Sequence, residues 1–310
     1  TTSPVNNIVN TSGTTGNALN FDGIDDYVQN STFVINPSLG FTIEGWMKVN
    51  DLGYSAMATQ SINNYPAPFD MYVNNGSGTV SFLVGQGNVT GNAVSNTAMT
   101  IGTWTHLAFV YDPSIAKVMI YFNGVQDGIA NATSPGNVSG SKFIIGNRYD
   151  NVTGLNGTLD DVRIWNVARS QADIQANMNS ELVGTETGLK AYYKFNQGIA
   201  GGTNTGVTTL TDATSNSYTG ILNNFALTGA TSNWVTGKSI SSTSTIIPSG
   251  TTYTWTVASN TNVTGQSDQA SPQSNISQTL TNLTNVAQTV VYTVTPKSGD
   301  AGACVGATFT

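Results

Sequence analysis

The sequence predicts an all-β protein, with a large β-sandwich followed by a small one. Apolar and polar residues alternate with period two along many short segments. In Phe41–Val49, for example, Glu44 and Trp46 lie on the face opposite to the apolar residues. Turns rich in Gly, Asn and Pro separate these segments, and the composition changes after Trp234. Short alternating strands joined by such turns are typical of sandwiches and jelly rolls.

The predicted strands follow one another along most of the chain. Asp112-Pro113-Ser114 predicts a turn between two of them, and Asn123-Gly124 predicts a type I′ hairpin turn, because both central residues of that turn need positive φ. In chain order, we expect strands at Ala18–Phe21, Tyr27–Gln29, Phe41–Val49, Phe69–Val73, Val80–Val84, Trp104–Tyr111, Lys117–Asn123, Lys142–Ile145, Leu159–Trp165, Leu189–Phe195, Thr252–Ala258 and Thr289–Pro296.

One helix is predicted, at Ser170–Ser180. Ser170 is a suitable N-cap, and Asp173 follows three residues later. This is a variant of the capping box, in which an acidic side chain returns a hydrogen bond to the N-cap backbone.

The composition predicts two domains. Residues 1–16 have the composition of a linker, residues 17–236 form the large domain, and a boundary is expected near Gly237, where a Ser/Thr-rich stretch begins. Residues 237–310 form the small domain. The alternative is a linker tail, but tails do not alternate aromatic residues with Thr as Thr252–Ala258 does.

Composition excludes several functions. Only 9% of the residues are charged and the net charge is −7, with the few Lys and Arg scattered, which argues against nucleic acid as a partner. No apolar run approaches the roughly 18 residues of a membrane helix, so no membrane insertion is expected.

Cys304 is the one cysteine, so no disulfide forms within the chain. An acidic, Cys-poor, Thr- and Asn-rich chain fits a large bacterial exoprotein.

Two segments carry a specific resemblance. They are Ala18–Val28 (ALNFDGIDDYV) and Leu155–Ser170 (LNGTLDDVRIWNVARS), with Trp104–Tyr111 between them. Together they resemble the LamG-like jelly-roll family, relatives of laminin G domains and pentraxins with a concanavalin A-like fold. In that family the first segment is the opening strand and its turn, and the second is a late strand that leads into a short helix. The order and spacing match over residues 17–236.

The C-terminal part is similar to the PKD-like, immunoglobulin-like repeats of bacterial surface adhesins, notably those of gliding bacteria. The matching segments are Tyr253–Val257, Ile276–Leu280, Val290–Pro296 and Cys304–Gly306. The resemblance implies a copy that is incomplete at its C-terminal end. Together, the two resemblances imply a concanavalin A-like jelly-roll sandwich followed by a small immunoglobulin-like sandwich.

The two resemblances imply a non-enzymatic, calcium-stabilised recognition module of a secreted bacterial cell-surface adhesin. Its expected partners are a glycan or another surface, and the neighbouring domains of the same long chain. Two alternatives remain open at this point. The chain could be a structural spacer in an adhesin stalk, or an accessory module of a polysaccharide-degrading enzyme. A glycan array separates the first alternative from recognition, and the neighbouring domains of the parent chain identify the second.

Acidic residues near the two LamG-like motifs predict a structural Ca²⁺ site. Carboxylates are ligands that Ca²⁺ prefers, and crowded carboxylates are costly without a cation, Arg or solvent to offset them. We expect Asp22, Asp25 and Asp160 to share the ion. The alternative is that Asp26 and Asp161 pair with Arg163 while the other carboxylates only make turn hydrogen bonds.

A second group of residues predicts a ligand surface. Tyr54 and Tyr65 lie with Phe69 near two prolines in a predicted loop region, where aromatic faces commonly stack on sugars. Alternatively, they pack the loop onto the sandwich. The resemblance to pentraxins adds Tyr149 and Asp150 after the strand Lys142–Ile145, a region in which pentraxins hold calcium with acidic residues. Arg148 stands where another acid is expected, and this departure argues against a paired calcium site.

No enzymatic activity is expected. Jelly-roll glucanases of a related fold carry carboxylates in an ExDxxE strand, since glycoside cleavage needs two carboxyl groups about 5–10 Å apart, and this pattern is missing. Asp70 is a candidate binding residue without a partner that is evident from the sequence. His106 is the only histidine and lies in the middle of a predicted strand, so we expect it to be a hydrogen-bonded structural residue.

Overall fold

A computed structural model describes residues 15–36, 39–62, 65–85, 90–133, 141–148, 154–242, 251–275 and 277–297, together with 305 and 308. Within these ranges, the side chains of residues 15, 61–62, 65–67 and 241–242 are not described. The chain divides into two compact units, residues 13–243 and a unit that includes residues 244–310.

The first unit is built almost entirely of strands. Its first twelve are β1 (Thr15–Asp22), β2 (Tyr27–Asn30), β3 (Phe41–Val49), β4 (Ser55–Ile62), β5 (Tyr65–Val73), β6 (Thr79–Val84), β7 (Gly91–Ala98), β8 (Thr105–Asp112), β9 (Lys117–Phe122), β10 (Val125–Asn131), β11 (Lys142–Ile145) and β12 (Asn156–Trp165). A helix follows, α1 (Gln171–Asn177), and then β13 (Ser180–Glu181), β14 (Leu189–Tyr193), β15 (Thr209–Leu210), β16 (Gly220–Asn223), β17 (Asn233–Ser239) and β18 (Ser241–Ser242).

Two large antiparallel sheets form the sandwich. One has the order β10-β9-β8-β3-β12-β1-β17, with β14 also paired to β12. The other has the order β15-β16-β2-β11-β4-β5-β6-β7. Strands that are neighbours in a sheet are often distant in the sequence, as in a jelly roll, and the predicted fold class is confirmed.

The core lies between the two sheets and follows the predicted alternation. In β3, Phe41 and Ile43 are fully or almost fully buried in it, and in β5 Phe69 and Met71 point to the same core. The segment around Pro66 and Pro68, expected from the sequence to be a loop region, is part of β5. Phe69 is therefore a strand residue of the core and not a loop residue. Such burial stabilises the fold by about 1.5–3 kcal/mol per large apolar side chain.

The second face of β3 differs from expectation, because it is buried as well. The strand shows buried residues at nearly every position, including Glu44 and Trp46. A smaller apolar cluster on this face joins Ala108 and Val110 to Ile174 of α1. The helix therefore covers the outer face of the sheet, which period-two alternation alone places in solvent.

Local signals in the sequence are confirmed at two sites. Ser170 caps α1, and its side chain and that of Asp173 form both hydrogen bonds of the capping box. Asn123 and Gly124 have φ values of 48° and 77°, as a type I′ turn between β9 and β10 requires. The predicted linker 1–16 overlaps β1, which begins at Thr15.

The second unit contains β19 (Thr252–Ala258), β20 (Val263–Thr264), β21 (Gln269–Gln273), β22 (Thr281–Asn282) and β23 (Val291–Lys297). Three of them form a sheet of order β21-β19-β23, and β20 pairs with β22. Tyr253, Trp255 and Val294 form its small buried cluster. The alternation of aromatic residues with Thr in β19 therefore marks a packed strand. Among the residues that the structure describes, no helix has the length and apolarity needed to cross a membrane.

Candidate functional site

Three carboxylates meet in the turn between β1 and β2. Asp22, Asp25 and Asp26 can each offer one oxygen such that the three oxygens lie within 4.8 Å of one another. Gly23 has a φ of +80°, a conformation that lets this short turn close. Asp25 is exposed and Asp26 is buried, so the group spans the edge of the sandwich.

Hydrogen bonds fix two of these carboxylates. Asp22 Oδ1 accepts from the backbone N–H of Ile24 at 2.8 Å. Asp26 Oδ2 accepts from the N–H of Asp22 at 3.0 Å, and its Oδ1 accepts from the Ser232 hydroxyl at 2.9 Å. Burial raises the pKa of Asp26 to about 6; the two hydrogen bonds oppose this increase, and the charges of Asp22 and Asp25 add to it.

Asp160 does not join this group, which corrects the ligand set expected from the sequence. In the β1–β12 pairing, Asp22 lies opposite Asn156 and Leu19 lies opposite Leu159, so Asp160 is four residues farther along β12. Four residues of strand correspond to about 13 Å. Asp160 instead accepts a 2.8 Å hydrogen bond from the N–H of Lys238, and burial raises its pKa well above the ordinary value.

Part of the alternative for these aspartates holds in the structure. Asp161 forms a buried ion pair with Arg163 and also accepts from the Tyr192 hydroxyl. Arg163 donates in addition to the carbonyls of Asn177 and Ser180, at 3.0 and 2.6 Å. It thereby ties β12 to the last residue of α1 and to β13. Asp26, however, binds Ser232 and not Arg163.

The only histidine lies on the same outer face of the sheet. The backbone N–H of His106 donates to Asn123 Oδ1 at 3.0 Å, as expected for a strand residue. Its ring lies edge-on to Trp46, with centroids 5.3 Å apart, and within the described residues neither ring nitrogen has a hydrogen-bond partner. Burial lowers the pKa of His106 to about 3, and the positive charges of Arg163 and Arg169 contribute.

A different set of residues lies on the outer face of the other sheet. Asp70 of β5 is fully buried, and its Oδ2 accepts from Nε of Arg148 at 2.5 Å. The Arg148 guanidinium lies 5.1 Å from the ring centroid of Tyr72. The Tyr72 ring contacts Tyr54 edge-on, with centroids 6.0 Å apart, and Tyr54 is 52% exposed. We call these four side chains the Tyr54 surface.

The Tyr54 surface contains two of the binding residues expected from the sequence, Tyr54 and Asp70. Arg148, which departs from the acidic pattern, is the partner of Asp70. Tyr72 was not anticipated, although it lies two residues after Asp70 on β5 and therefore shares its face. Tyr149 and Asp150 lie outside the described residues, and the side chain of Tyr65 is not described.

The chemistry available differs between the two sites. The acidic turn offers three hard oxygen donors of the kind that Ca²⁺ takes. The Tyr54 surface offers the exposed Tyr54 ring, which contacts Tyr72, and the Arg148 guanidinium on the Tyr72 ring. Aromatic rings and a guanidinium suit stacking and hydrogen bonding. The carboxylate of Asp70 is buried and is engaged by Arg148.

Comparisons with known families agree with the order of the two units. Residues 22–175 match the family model of the concanavalin A-like lectin/glucanases superfamily. Residues 235–310 match that of the PKD-like domain. The family resemblances expected from the sequence are thus confirmed.

Several solved structures are similar to part of this chain. A protein from Bacteroides ovatus, described as a candidate carbohydrate binding protein, is 21% identical with a TM-score of 0.51, over 67% of this chain and 58% of its own. A pentraxin from Limulus polyphemus is 16% identical, with a TM-score of 0.43 over 52% of this chain and 81% of its own. The CBM40 domain of a Ruminococcus gnavus sialidase, bound to sialyllactose, is 11% identical, with a TM-score of 0.42 over 52% of this chain and 96% of its own.

The aligned region therefore spans less than two thirds of the Bacteroides protein. No curated protein matches the chain.

Proposed function

We propose that this chain, a LamG-like jelly-roll domain followed by a PKD-like domain, is a non-enzymatic recognition module that binds carbohydrate at the Tyr54 surface. The observation that carries the proposal is that the exposed Tyr54 ring contacts Tyr72, whose ring also contacts the guanidinium of Arg148. Sugars have an apolar face that packs on aromatic rings and hydroxyls that accept hydrogen bonds from a guanidinium. Ligand sites combine apolar surface with a few placed polar groups in this way.

The description of the Bacteroides ovatus protein as carbohydrate binding supports the same ligand class. At 21% identity that likeness establishes the fold alone, so the ligand class is inferred from the side chains of this chain. The absence of an ExDxxE strand, and the engagement of Asp70 with Arg148, support a binding function over hydrolysis.

We further propose that the acidic turn binds Ca²⁺ with a structural role. Its donors are the carboxylates of Asp22, Asp25 and Asp26, which replace the set that includes Asp160. The fit rests on the type of donor and on the raised pKa of Asp26, because nearby negative charges contribute to that increase and a cation would offset them. When bound, the ion would tie the opening strands of the sandwich together.

The composition supports a place for this module in a secreted bacterial cell-surface adhesin, in line with the adhesin repeats that the PKD-like domain resembles. The two alternatives predict other outcomes. A structural spacer in a stalk binds no glycan. An accessory module of a polysaccharide-degrading enzyme binds the polymer that its parent enzyme cleaves.

The proposed function is tested on immobilised polysaccharides, with laminarin, mannan, xyloglucan, polygalacturonate and alginate as probes. The full chain is compared with Tyr54→Ala and with a control, Ile115→Ala, which removes a 54% exposed apolar side chain in the β8–β9 turn. We expect Tyr54→Ala to weaken binding of the retained polymer while Ile115→Ala leaves it unchanged. Failure of every probe to bind, or equal binding by both variants, would contradict carbohydrate recognition at this surface.

A further inference from the structure

We infer that Asn156 and Asp51 are positioning residues, which hold the loop between β3 and β4 so that the Tyr54 ring is in place for a sugar. The inference rests on the proposed function, carbohydrate binding at the Tyr54 surface. It adds two residues that do not belong to that surface and that act on it through the backbone of the loop.

Tyr54 is the last residue of the loop that joins β3 to β4. The loop comprises residues 50–54, since β3 ends at Val49 and β4 begins at Ser55. Tyr54 is 52% exposed, and its ring contacts Tyr72 edge-on. The position of so exposed a ring depends largely on the backbone that carries it. If that backbone is mobile, a sugar must order it on binding, and affinity is lost as a result.

Asn156 is a rigid anchor for this loop. It is the first residue of β12 and pairs with Asp22 of β1. On the side of the loop, its carbonyl accepts a 2.9 Å hydrogen bond from the N–H of Asn50. Gly23 lies so close that a Cβ at that position would be 2.7 Å from the Asn156 Cβ. Asn156 is therefore fixed from both sides and has little room to move.

The side chain of Asn156 bonds two residues of the loop. Its Oδ1 accepts from Asn50 Nδ2 at 3.1 Å, and its Nδ2 donates to Asp51 Oδ2. The other carboxylate oxygen of Asp51 accepts a 2.7 Å hydrogen bond from the N–H of Gly53. We call these three side-chain hydrogen bonds the Asn156 clasp. They reach from the sheet to Gly53, the residue directly before Tyr54, so they restrict the backbone that carries the ring.

The middle of the loop is held independently of the clasp. The carbonyl of Leu52 accepts a 2.8 Å hydrogen bond from the N–H of Gly76, and the Leu52 side chain packs against the core. The N–H of Gly53, in contrast, bonds to Asp51. Loss of the clasp should therefore free the end of the loop that carries Tyr54, while the Leu52 contacts keep the rest of the loop on the sandwich.

The two side chains of the clasp can be exchanged to test its role. Asp51→Asn leaves one amide facing two donors, Asn156 Nδ2 and the Gly53 N–H, so one hydrogen bond is lost. Asn156→Asp places two carboxylates against each other without a donor between them. In the double variant the amide at position 51 donates to the carboxylate at position 156, and every hydrogen bond of the clasp can form again. The double variant thus separates the clasp from the identity of either residue.

The experiment measures binding of the full chain to the five polysaccharides named above, with the melting temperature of each variant recorded. We expect Asp51→Asn and Asn156→Asp each to weaken binding of the retained polymer about tenfold, and the double variant to bind within about twofold of the wild type. The control is Ser170→Ala, which removes the N-cap of α1 and should lower stability without a change in binding.

Hydrogen exchange of the backbone amides, followed by NMR, gives a readout without a ligand. The Gly53 amide should be protected in the wild type, exchange faster in both single variants and be protected again in the double variant. Should a single variant fail to fold, the wild type and the double variant still decide the matter. A Gly53 amide that exchanges in the wild type as fast as in an unstructured chain overturns the inference.

The outcomes are distinct for the two proposals. If Tyr54→Ala weakens binding while both single clasp variants bind like the wild type, this inference is wrong and carbohydrate binding at the Tyr54 surface stands. A double variant that binds no better than the single variants leads to the same conclusion. If no probe binds, or if Tyr54→Ala leaves binding unchanged, both proposals are wrong.

Discussion

The indole Nε1 of Trp165 donates a 2.9 Å hydrogen bond to Glu44 Oε1, which joins β12 to β3 on the outer face of the sheet. The guanidinium of Arg169 lies 3.9 Å from the Trp165 ring centroid and 3.4 Å from the same carboxylate oxygen. Arg163 Nη1 is 3.7 Å from it. The buried carboxylate of Glu44 therefore offsets positive charge of both Arg163 and Arg169 beneath α1.

We predict that Glu44→Ala lowers the free energy of unfolding of the first unit by about 3–5 kcal/mol, because it takes from Arg169 the carboxylate that it contacts and leaves Arg163 with Asp161 alone. Glu44→Gln keeps an acceptor for Trp165 but loses the charge, and it should cost nearly as much. The measurement is urea unfolding of the full chain, followed by tryptophan fluorescence.

The control is Glu181→Ala, at a carboxylate that is 19% exposed and 3.6 Å from Lys194. Ion pairs that remain partly solvated contribute less than about 1 kcal/mol, so this variant should be close to the wild type. Equal stability of Glu44→Ala and Glu181→Ala would show that the network beneath α1 contributes little.

A second prediction concerns His106. Because burial lowers its pKa to about 3, the unfolded chain takes up a proton below pH 6.5 that the folded chain does not. Stability should therefore fall as the pH decreases from 6.5 towards 3, by up to about 1.4 kcal/mol per pH unit from this group. His106→Phe should reduce the slope of stability against pH in that range.

At neutral pH the same variant should be at least as stable as the wild type, because the ring nitrogens lack hydrogen-bond partners within the described residues and an unsatisfied donor costs about 1–3 kcal/mol. The edge-on contact with Trp46 can persist with a phenyl ring. The check is a series of urea titrations of both proteins between pH 4 and 8. Parallel curves, or a large loss of stability in the variant at pH 8, would contradict this account.

Local patterns predicted most of the sandwich, and tertiary pairing decided the rest. Alternation located the core face of β3, but the burial of Glu44 depends on α1, which covers that face from 130 residues farther along the chain. β4 (SAMATQSI) was not predicted because Ser, Ala and Gln give little strand signal.

The candidate sites show the same limit. Asp22 and Asp25 were found because they share one turn, whereas the place of Asp160 depends on the β1–β12 register. Likewise, Asp70 was found on its strand, but its partner Arg148 is 78 residues away in the sequence. Such partners follow from sheet order, which one sequence does not specify.

A third prediction addresses the boundary between the two units. The sequence places it near Gly237, but β17 runs through this residue, and its pairing with β1 extends to Ser239. The division of the chain into two compact units falls between residues 243 and 244. Limited proteolysis should therefore release an N-terminal fragment that ends between Ser242, the last residue of β18, and Thr252, the first residue of β19. Mass spectrometry identifies the cut, and preferred cleavage within β17 would contradict the division.

The last prediction concerns calcium at the acidic turn. If Asp22, Asp25 and Asp26 share one ion, the unfolded chain cannot assemble the site, and calcium at about a hundredfold excess over its dissociation constant stabilises the fold by about 2.7 kcal/mol. For a domain of this size the melting temperature should rise by about 5–10 °C. Protonation of Asp26, with its pKa raised to about 6, competes with the ion, so the rise should be present at pH 7.5 and largely lost at pH 5.

Two variants separate the sites in this experiment. Asp26→Asn should reduce the calcium response at pH 7.5, because one charged ligand is lost. Asp160→Asn should keep the calcium response, because Asp160 lies about 13 Å along the strand from Asp22. The hydrogen bond of Asp160 with the Lys238 N–H contributes to stability independently of calcium. The measurement is differential scanning calorimetry with calcium, with magnesium and after chelation. Magnesium should substitute poorly for calcium, since Mg²⁺ requires octahedral coordination with shorter metal–oxygen distances. A melting temperature indifferent to chelation at pH 7.5 would rule out the ion, whereas a response abolished by Asp160→Asn would restore the ligand set expected from the sequence.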